Sequence, residues 1–187
     1  MSPALPHKRM SVDEFLAWAD EQPGRYELFR GTIYAMTPER AAHAVMKFAV
    51  QTALANAIRA RGLPCHMLPD GMTVRVDDST AHEPDALVYC GSALAPSAVE
   101  VPNPVVIVEV LSSSTRHIDA QIKLVGYFRV PSVAHYLVID PEKPQVIHHA
   151  RGEDGSILTR IVNDGTLALD PPGMTIAIAD LYPPTAE

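Results

Sequence analysis

Several things are scarce in this chain of 187 residues. It has two cysteines, Cys65 and Cys90, with no CxxC spacing and no close histidine partners. That argues against zinc, points to a reducing compartment, and leaves Cys90 expected as a buried free thiol. No run of about 18 apolar residues occurs, so no transmembrane helix and no membrane partner are expected. The opening stretch from Met1 to Arg9 has no apolar core of signal-peptide length, which fits a cytoplasmic location. Positive charge is short as well: 15 Lys and Arg stand against 22 Asp and Glu, a net charge of −7. This counts against a protein that coats nucleic acid without specificity. It does not exclude an enzyme acting on DNA, because clustered carboxylates can serve a divalent metal. Internal repeats, low-complexity segments and linkers are absent, so residues 1–187 are expected to form one domain.

What is present suits a sizeable core. Hydrophobic residues make up 47% of the chain, and the 17 prolines gather in connections, which fits many short strands better than a helical bundle. Ser11 and Glu14 have capping-box spacing and begin a helix over about 11–20. Tyr26-Glu27-Leu28-Phe29 and Thr32 to Met36 flank Arg30-Gly31 as a hairpin. A second helix is expected over about 39–61, capped by Thr37, with Pro38 in its first turn and Gly62 as its stop. Its apolar face is read as Val45, Phe48, Ala49, Thr52, Leu54, Ala55 and Ile58. Three strands follow, at 63–68, 73–76 and 85–89, then a buried strand at 104–111. A helix over about 117–129 leads to strands at 134–139, 145–149 and 157–162, with short apolar pieces at Leu167 and 176–178. A buried strand, a helix and another strand suggest a βαβ crossover in a mixed sheet. The class is α/β or α+β: a central mixed sheet flanked by helices, with an N-terminal helix and β-hairpin.

One residue breaks the apolar run Pro104-Val105-Val106-Ile107-Val108-Glu109-Val110-Leu111. The continuous apolar pattern marks a strand buried on both faces, and a charge within it costs several kcal/mol or more unless paired, protonated or bound to a cation. Asp85, at the start of its own strand, could meet Glu109 if the two strands are neighbours. Oxygen ligands of this kind suit Mg²⁺ or Mn²⁺, and the Val110 carbonyl could complete the set. Phosphodiester hydrolysis then needs a cation for the developing charge and a group that orients water. Lys123 is the candidate cation, one helical turn past Asp119 and one before Tyr127, so all three share a face. Plainer readings stay open beside these. Asp119 and Lys123 could be a surface pair, Asp85 a strand-start cap, and Glu109 half of an ordinary salt bridge.

The run Pro84-Asp85, then Val108-Glu109-Val110-Leu111-Ser112, Ser114-Thr115-Arg116, Asp119, Lys123, Tyr127 and Tyr136-Leu137-Val138-Ile139-Asp140-Pro141 resembles the Uma family, a group described as putative restriction endonucleases within the PD-(D/E)xK superfamily. Tyr26-Glu27-Leu28, Gly31 and His43 resemble its N-terminal pattern, although Arg30 stands where an acid often precedes the glycine. The resemblance covers roughly residues 10–165. It implies a restriction-endonuclease-like fold, with Asp85 and Glu109 as metal ligands. The superfamily lysine usually stands two residues after the acid, where this chain has Leu111. The resemblance implies that Lys123, on the helix, has taken its place. It also implies Glu27 as an additional acidic ligand or water-orienting base, with His43 in the same cleft. Tyr127 is read as a core-edge residue whose hydroxyl reaches the cleft.

Other residues attract attention for less. His148 and His149 are adjacent in a strand, point to opposite faces and cannot easily share a metal; a surface position is expected. His82-Glu83 precedes Asp85 and could approach the site, but a loop role is expected. Ser112 to Thr115 lacks the GxSxG elbow and reads as helix caps. The expected function is metal-dependent endonucleolytic hydrolysis of DNA. A non-catalytic nucleic-acid or protein-binding module with the same fold is the alternative, and a hydrolase for smaller phosphate esters is a third. A homodimer would fit a nuclease that cuts both strands, with the C-terminal strands and Leu181-Tyr182-Pro183-Pro184 as the candidate interface.

Overall fold

The computed structural model describes residues 8–111 and 118–183. Helix α1 (Val12–Asp20) opens on a complete capping box: the Glu14 amide donates to Ser11 Oγ at 3.2 Å, and the Ser11 amide donates to Glu14 Oε2 at 2.8 Å. Two of the helix's orphan donors are thereby satisfied. Val12 and Phe15 turn inward onto Leu28, Ile33 and Ala81. The hairpin β1 (Tyr26–Phe29) and β2 (Thr32–Ala35) closes through Arg30 and Gly31, whose φ angles of 50° and 77° are those of the tight hairpin turn.

Helix α2 (Ala41–Arg61) starts later than the Thr37-Pro38 signal suggests. Its N-cap is Arg40, with no side-chain cap bond, and Glu39 lies outside the helix, bonded to His43 and Lys47. Gly62 ends it in the left-handed region at φ 59°, as expected. Its buried face is Met46, Lys47, Val50, Ala53, Leu54 and Ile58, so Val45 and Phe48 point to solvent instead. Apolar residues surround much of this helix, which leaves the sequence period ambiguous.

Next come β3 (Cys65–Pro69), β4 (Val74–Asp77), β5 (Thr80–His82) and β6 (Ala86–Cys90), one strand more than the sequence pattern suggests. The extra strand, β5, sits between β1 and β4 in a four-stranded sheet of order β2-β1-β5-β4. His82 therefore ends a buried strand and is not in a loop. Strand β7 (Pro104–Val110), helix α3 (Ile118–Tyr127) and strand β8 (His135–Asp140) form the expected crossover, with β7 and β8 parallel. Strands β9 (Gln145–Arg151) and β10 (Ile157–Val162) complete a mixed sheet of order β10-β9-β8-β7-β6-β3. Strands β11 (Thr166–Leu169) and β12 (Met174–Ala177) pair separately, and a short 3-10 helix spans Ile178–Leu181.

The two faces of β7 explain its apolar run. Val106, Val108 and Val110 pack with Val50, Leu54 and Ile58 of α2, while Ile107 packs with Tyr127, Tyr136 and Val138 on the α3 side. Each such side chain, fully buried, contributes about 1.5–3 kcal/mol.

Four further expectations change. Cys65 lies directly opposite Cys90 across β3 and β6, and the two sulfurs form a disulfide, so Cys90 is not a free thiol. A separation of 25 residues hid a pairing that strand register creates, and the thiol argument for a reducing compartment falls with it. His148 and His149 are buried, not at the surface. They do face opposite ways, His148 toward His135 at 2.9 Å and His149 toward Thr159 Oγ1 at 2.8 Å. Leu181 is fully buried in this chain's own core, and the Tyr182 hydroxyl bonds the Gln145 backbone, so neither is a free interface residue. Ser112 to Thr115 and Pro184 lie outside the described residues.

Candidate active site

The site forms where the C-terminal end of β7 meets the start of β6, the N-terminal half of α2, helix α3 and strand β1. Ala86 pairs with Val108, and this antiparallel register brings Asp85 level with Glu109. The Asp85 amide donates to the Val108 carbonyl at 3.1 Å, and Asp85 Oδ2 accepts the Val110 amide at 2.7 Å. Asp85 is therefore bonded to the strand that carries Glu109.

Glu109 turns toward α3. Its Oε1 accepts from Lys123 Nζ at 2.9 Å and from the Tyr127 hydroxyl at 2.7 Å. Lys123 Nζ also lies 2.9 Å from Glu27 Oε1, so one ammonium joins β7 to β1 through α3. Lys123 is 7% exposed, which is incompatible with a helix-surface pair. The side chain of Asp119 lies outside the described residues. Tyr127 is a fully buried core residue, not one at the core's edge, and its hydroxyl reaches Glu109. Glu27 further accepts the Glu83 amide at 2.9 Å and has His82 Nδ1 3.8 Å away.

A second group adjoins the first through Asp85. Lys47 Nζ is 2.6 Å from Glu39, 2.8 Å from Asp70 and 3.6 Å from Asp85. Arg25 binds Asp70 at 2.5 Å and also pairs with Glu83. His43 places Nδ1 2.6 Å from Glu39 Oε1 and Nε2 2.9 Å from the Val110 carbonyl. Both neighbours are acceptors, so both ring nitrogens donate. Lys47, Asp70 and Arg25 are absent from the sequence reading as site residues, while His82-Glu83, expected in a loop, lies at the site. Of the first three, only Lys47 left a signal, as a cation one turn past His43 on the same helix face.

The electrostatics follow from burial. Desolvation pushes Glu109 up to about 7, against the pull of Lys123, and the negative charges of Asp85 and Glu27 add to the rise. Asp85 is raised by desolvation too, although the Val110 amide, Lys47 and His43 oppose this. Glu27 goes the other way: desolvation raises it, but Lys123, His82 and the Glu83 amide together hold it below its usual value. Desolvation lowers His43, yet the Val110 carbonyl, Glu39 and Asp85 more than offset it and the net shift is upward.

A divalent cation fits this donor set. Asp85, Glu109 and the Val110 carbonyl offer hard oxygen atoms. Burial raises both carboxylates by more than the neighbouring cations lower them. Among the described residues, Glu39, His43 and Asp85 also bring ligand atoms within 4.8 Å of one another, a group that could hold a metal ion once His43 gives up a ring proton. Among the described residues, no helix is long and apolar enough to cross a membrane.

A mixed sheet flanked by α2 and α3, with carboxylates gathered at the end of a central strand, is a nuclease-like architecture. It aligns with the crystal structure of a putative nuclease belonging to DUF820 from Anabaena variabilis, at a TM-score of 0.73 and 14% identity, over 92% of this chain and 97% of that one. At that identity the likeness is one of fold. The family model described as "Putative restriction endonuclease", Uma2, matches residues 12–179, and the chain belongs to that family. A similar full-length relative is the uncharacterized protein slr1290 of Synechocystis, 27% identical over 184 residues, covering 97% of this chain and 95% of the relative.

Proposed function

We propose that this protein is a metal-dependent endonuclease that hydrolyses phosphodiester bonds in DNA, with residues 1–187 acting as one restriction-endonuclease-like domain. The observation that carries the reading is the buried ammonium of Lys123, 2.9 Å from Glu109 Oε1 and from Glu27 Oε1. A lysine delivered from α3 thus stands beside the strand acid, although the position two residues after that acid is Leu111. Asp85, Glu109 and the Val110 carbonyl would hold Mg²⁺ or Mn²⁺. When bound, such an ion polarises a phosphoryl oxygen and lowers the pKa of its water.

The chain's own residues supply the rest. Lys123 donates to the charge that develops on the phosphoryl oxygens, where a preplaced cation has most effect in a dry site. Glu27 holds Lys123 in place and offers a carboxylate able to orient water. Tyr127 fixes Glu109, and His43 fixes the Val110 carbonyl. A homodimer and a cytoplasmic location belong to this reading. The location now rests on the DNA substrate and not on free thiols.

Cleavage of end-labelled DNA with Mg²⁺ or Mn²⁺ tests it, with circular dichroism as the check on folding. Asp85→Ala and Lys123→Ala proteins should fold and lose activity. Unchanged activity in either would remove that residue's role. A folded wild-type protein that takes up no divalent ion in the millimolar range would favour a non-catalytic binding module.

A further inference from the structure

We propose that the groove between α2 and β3 binds single-stranded DNA, with Phe48 stacking on an unpaired base and Arg59 taking a backbone phosphate. The inference deepens the nuclease reading and rests on it for what the strand is led to.

Phe48 is 70% exposed, the most exposed of the large apolar side chains among the described residues. It stands next to Lys47 in sequence and lines a groove of about 310 Å³ with Gln51, Arg59, Met67 and Pro69. The groove runs along α2 from Phe48 to Arg59, roughly 16 Å at helical rise. Its near end is tied to the strand that carries the candidate site, because Gln51 Nε2 donates to the Asp85 backbone carbonyl at 3.0 Å. Its far end carries a positioned cation: Arg59 Nη1 donates to Asn56 Oδ1 at 3.1 Å.

Charge chooses the occupant. The chain carries 22 acids against 15 bases, yet no carboxylate is among the described residues lining this groove, and one of them is an arginine. An exposed ring beside a groove that carries a cation and no acid among its lining residues suits a single strand, because every base has a face to stack. A duplex keeps those faces covered by their neighbours. The groove therefore selects DNA that is single-stranded, or unpaired at the point of entry.

The experiment is fluorescence anisotropy with labelled oligothymidylate, and with its duplex on oligodeoxyadenylate, using the full chain in EDTA so that nothing is cut. The single strand should bind more tightly than the duplex. Phe48→Ala should weaken single-strand binding about tenfold, Phe48→Trp should keep it, and Arg59→Gln should reduce the logarithmic salt slope by about 0.7. Phe48 is exposed, so these variants should melt like wild type. Unchanged affinity in Phe48→Ala, a preference for duplex, or no binding of either DNA would overturn the proposal. So would sedimentation showing that Phe48→Ala only dissociates a dimer, which would assign the groove to a second copy. Binding that depends on Phe48 in a protein with no metal-dependent cleavage would overturn the nuclease reading and leave the groove standing. Asp85-dependent cleavage with normal Phe48→Ala binding would do the reverse.

Discussion

Lys123 and Lys47 both lie among carboxylates, but water reaches their surroundings unequally. Around Lys123, Glu27 and Glu109 have side chains 13% and 15% exposed. Around Lys47, Asp70 and Glu39 are 23% and 32% exposed, and Arg25 and His43 add positive charge. The Lys123 group is the drier of the two, while the Lys47 group is wetter and, among the described residues, carries more positive charge. A buried charge is strongly felt only where solvent cannot screen it. In the proposed reading the first group acts on the substrate, and the second holds Asp85 and the start of α2 in position.

This contrast can be broken most directly by cleavage rates. Lys123→Met should lower the rate by about 10²–10³, the usual effect of removing a group that stabilises transition-state charge. Lys47→Met should lower it less, on the order of tenfold, through a displaced Asp85. Equal losses would erase the distinction. Urea unfolding gives the second comparison. Lys123→Met leaves two carboxylates in a dry site and should cost about 3 kcal/mol or more, whereas Lys47→Met should cost roughly 1–2 kcal/mol because its partners reach water and Arg25 keeps Asp70 paired.

Glu109 makes the contrast depend on pH. Its folded pKa is raised from 4.5 to about 7, so across that interval the folded protein holds a proton that the unfolded chain has lost. Stability of the metal-free protein should therefore fall as pH rises through that window, by on the order of 3 kcal/mol, and level off above it. Asp85, also raised, contributes with the same sign. Glu27, held low by Lys123, contributes oppositely, with stability gained as it ionises at lower pH. Urea midpoints between pH 5 and 8 would read the slope. Glu109→Gln should flatten it, and saturating Mg²⁺ should reduce it. The smallest effect should come from Tyr127→Phe, which removes one hydrogen bond to Glu109 and should cost about 1–2 kcal/mol by urea unfolding. Because that bond favours ionised Glu109, the pH window should also move upward.

Strand β7 was legible because both of its faces are apolar, and Glu109 stood out against that run. Asp85, Glu27 and Lys123 could be named because each stands in a motif with its own spacing. Lys47, Asp70 and Arg25 could not, and Glu83 reads from the sequence as a loop residue. They come from α2, the β3–β4 connection, the stretch before β1 and the end of β5, and no local pattern ties them together. The same limit hid β5, too short for a periodicity, and the Cys65–Cys90 pair. On α2, apolar residues on several sides put Phe48 on the wrong face.

By itself the sequence determined the local elements and their kind: the Ser11–Glu14 cap, the Arg30-Gly31 turn, the Gly62 stop, and a buried strand with one acid in it. These depend on neighbours within a few residues, where backbone geometry is set by local sterics and hydrogen bonds. Only the tertiary structure decided which charges share a site. It placed Asp85 level with Glu109 through strand register, brought Lys123 across from α3, and arranged a second lysine behind Asp85. The energy of a buried charge depends on partners far away in the chain, and no local pattern contains that distance.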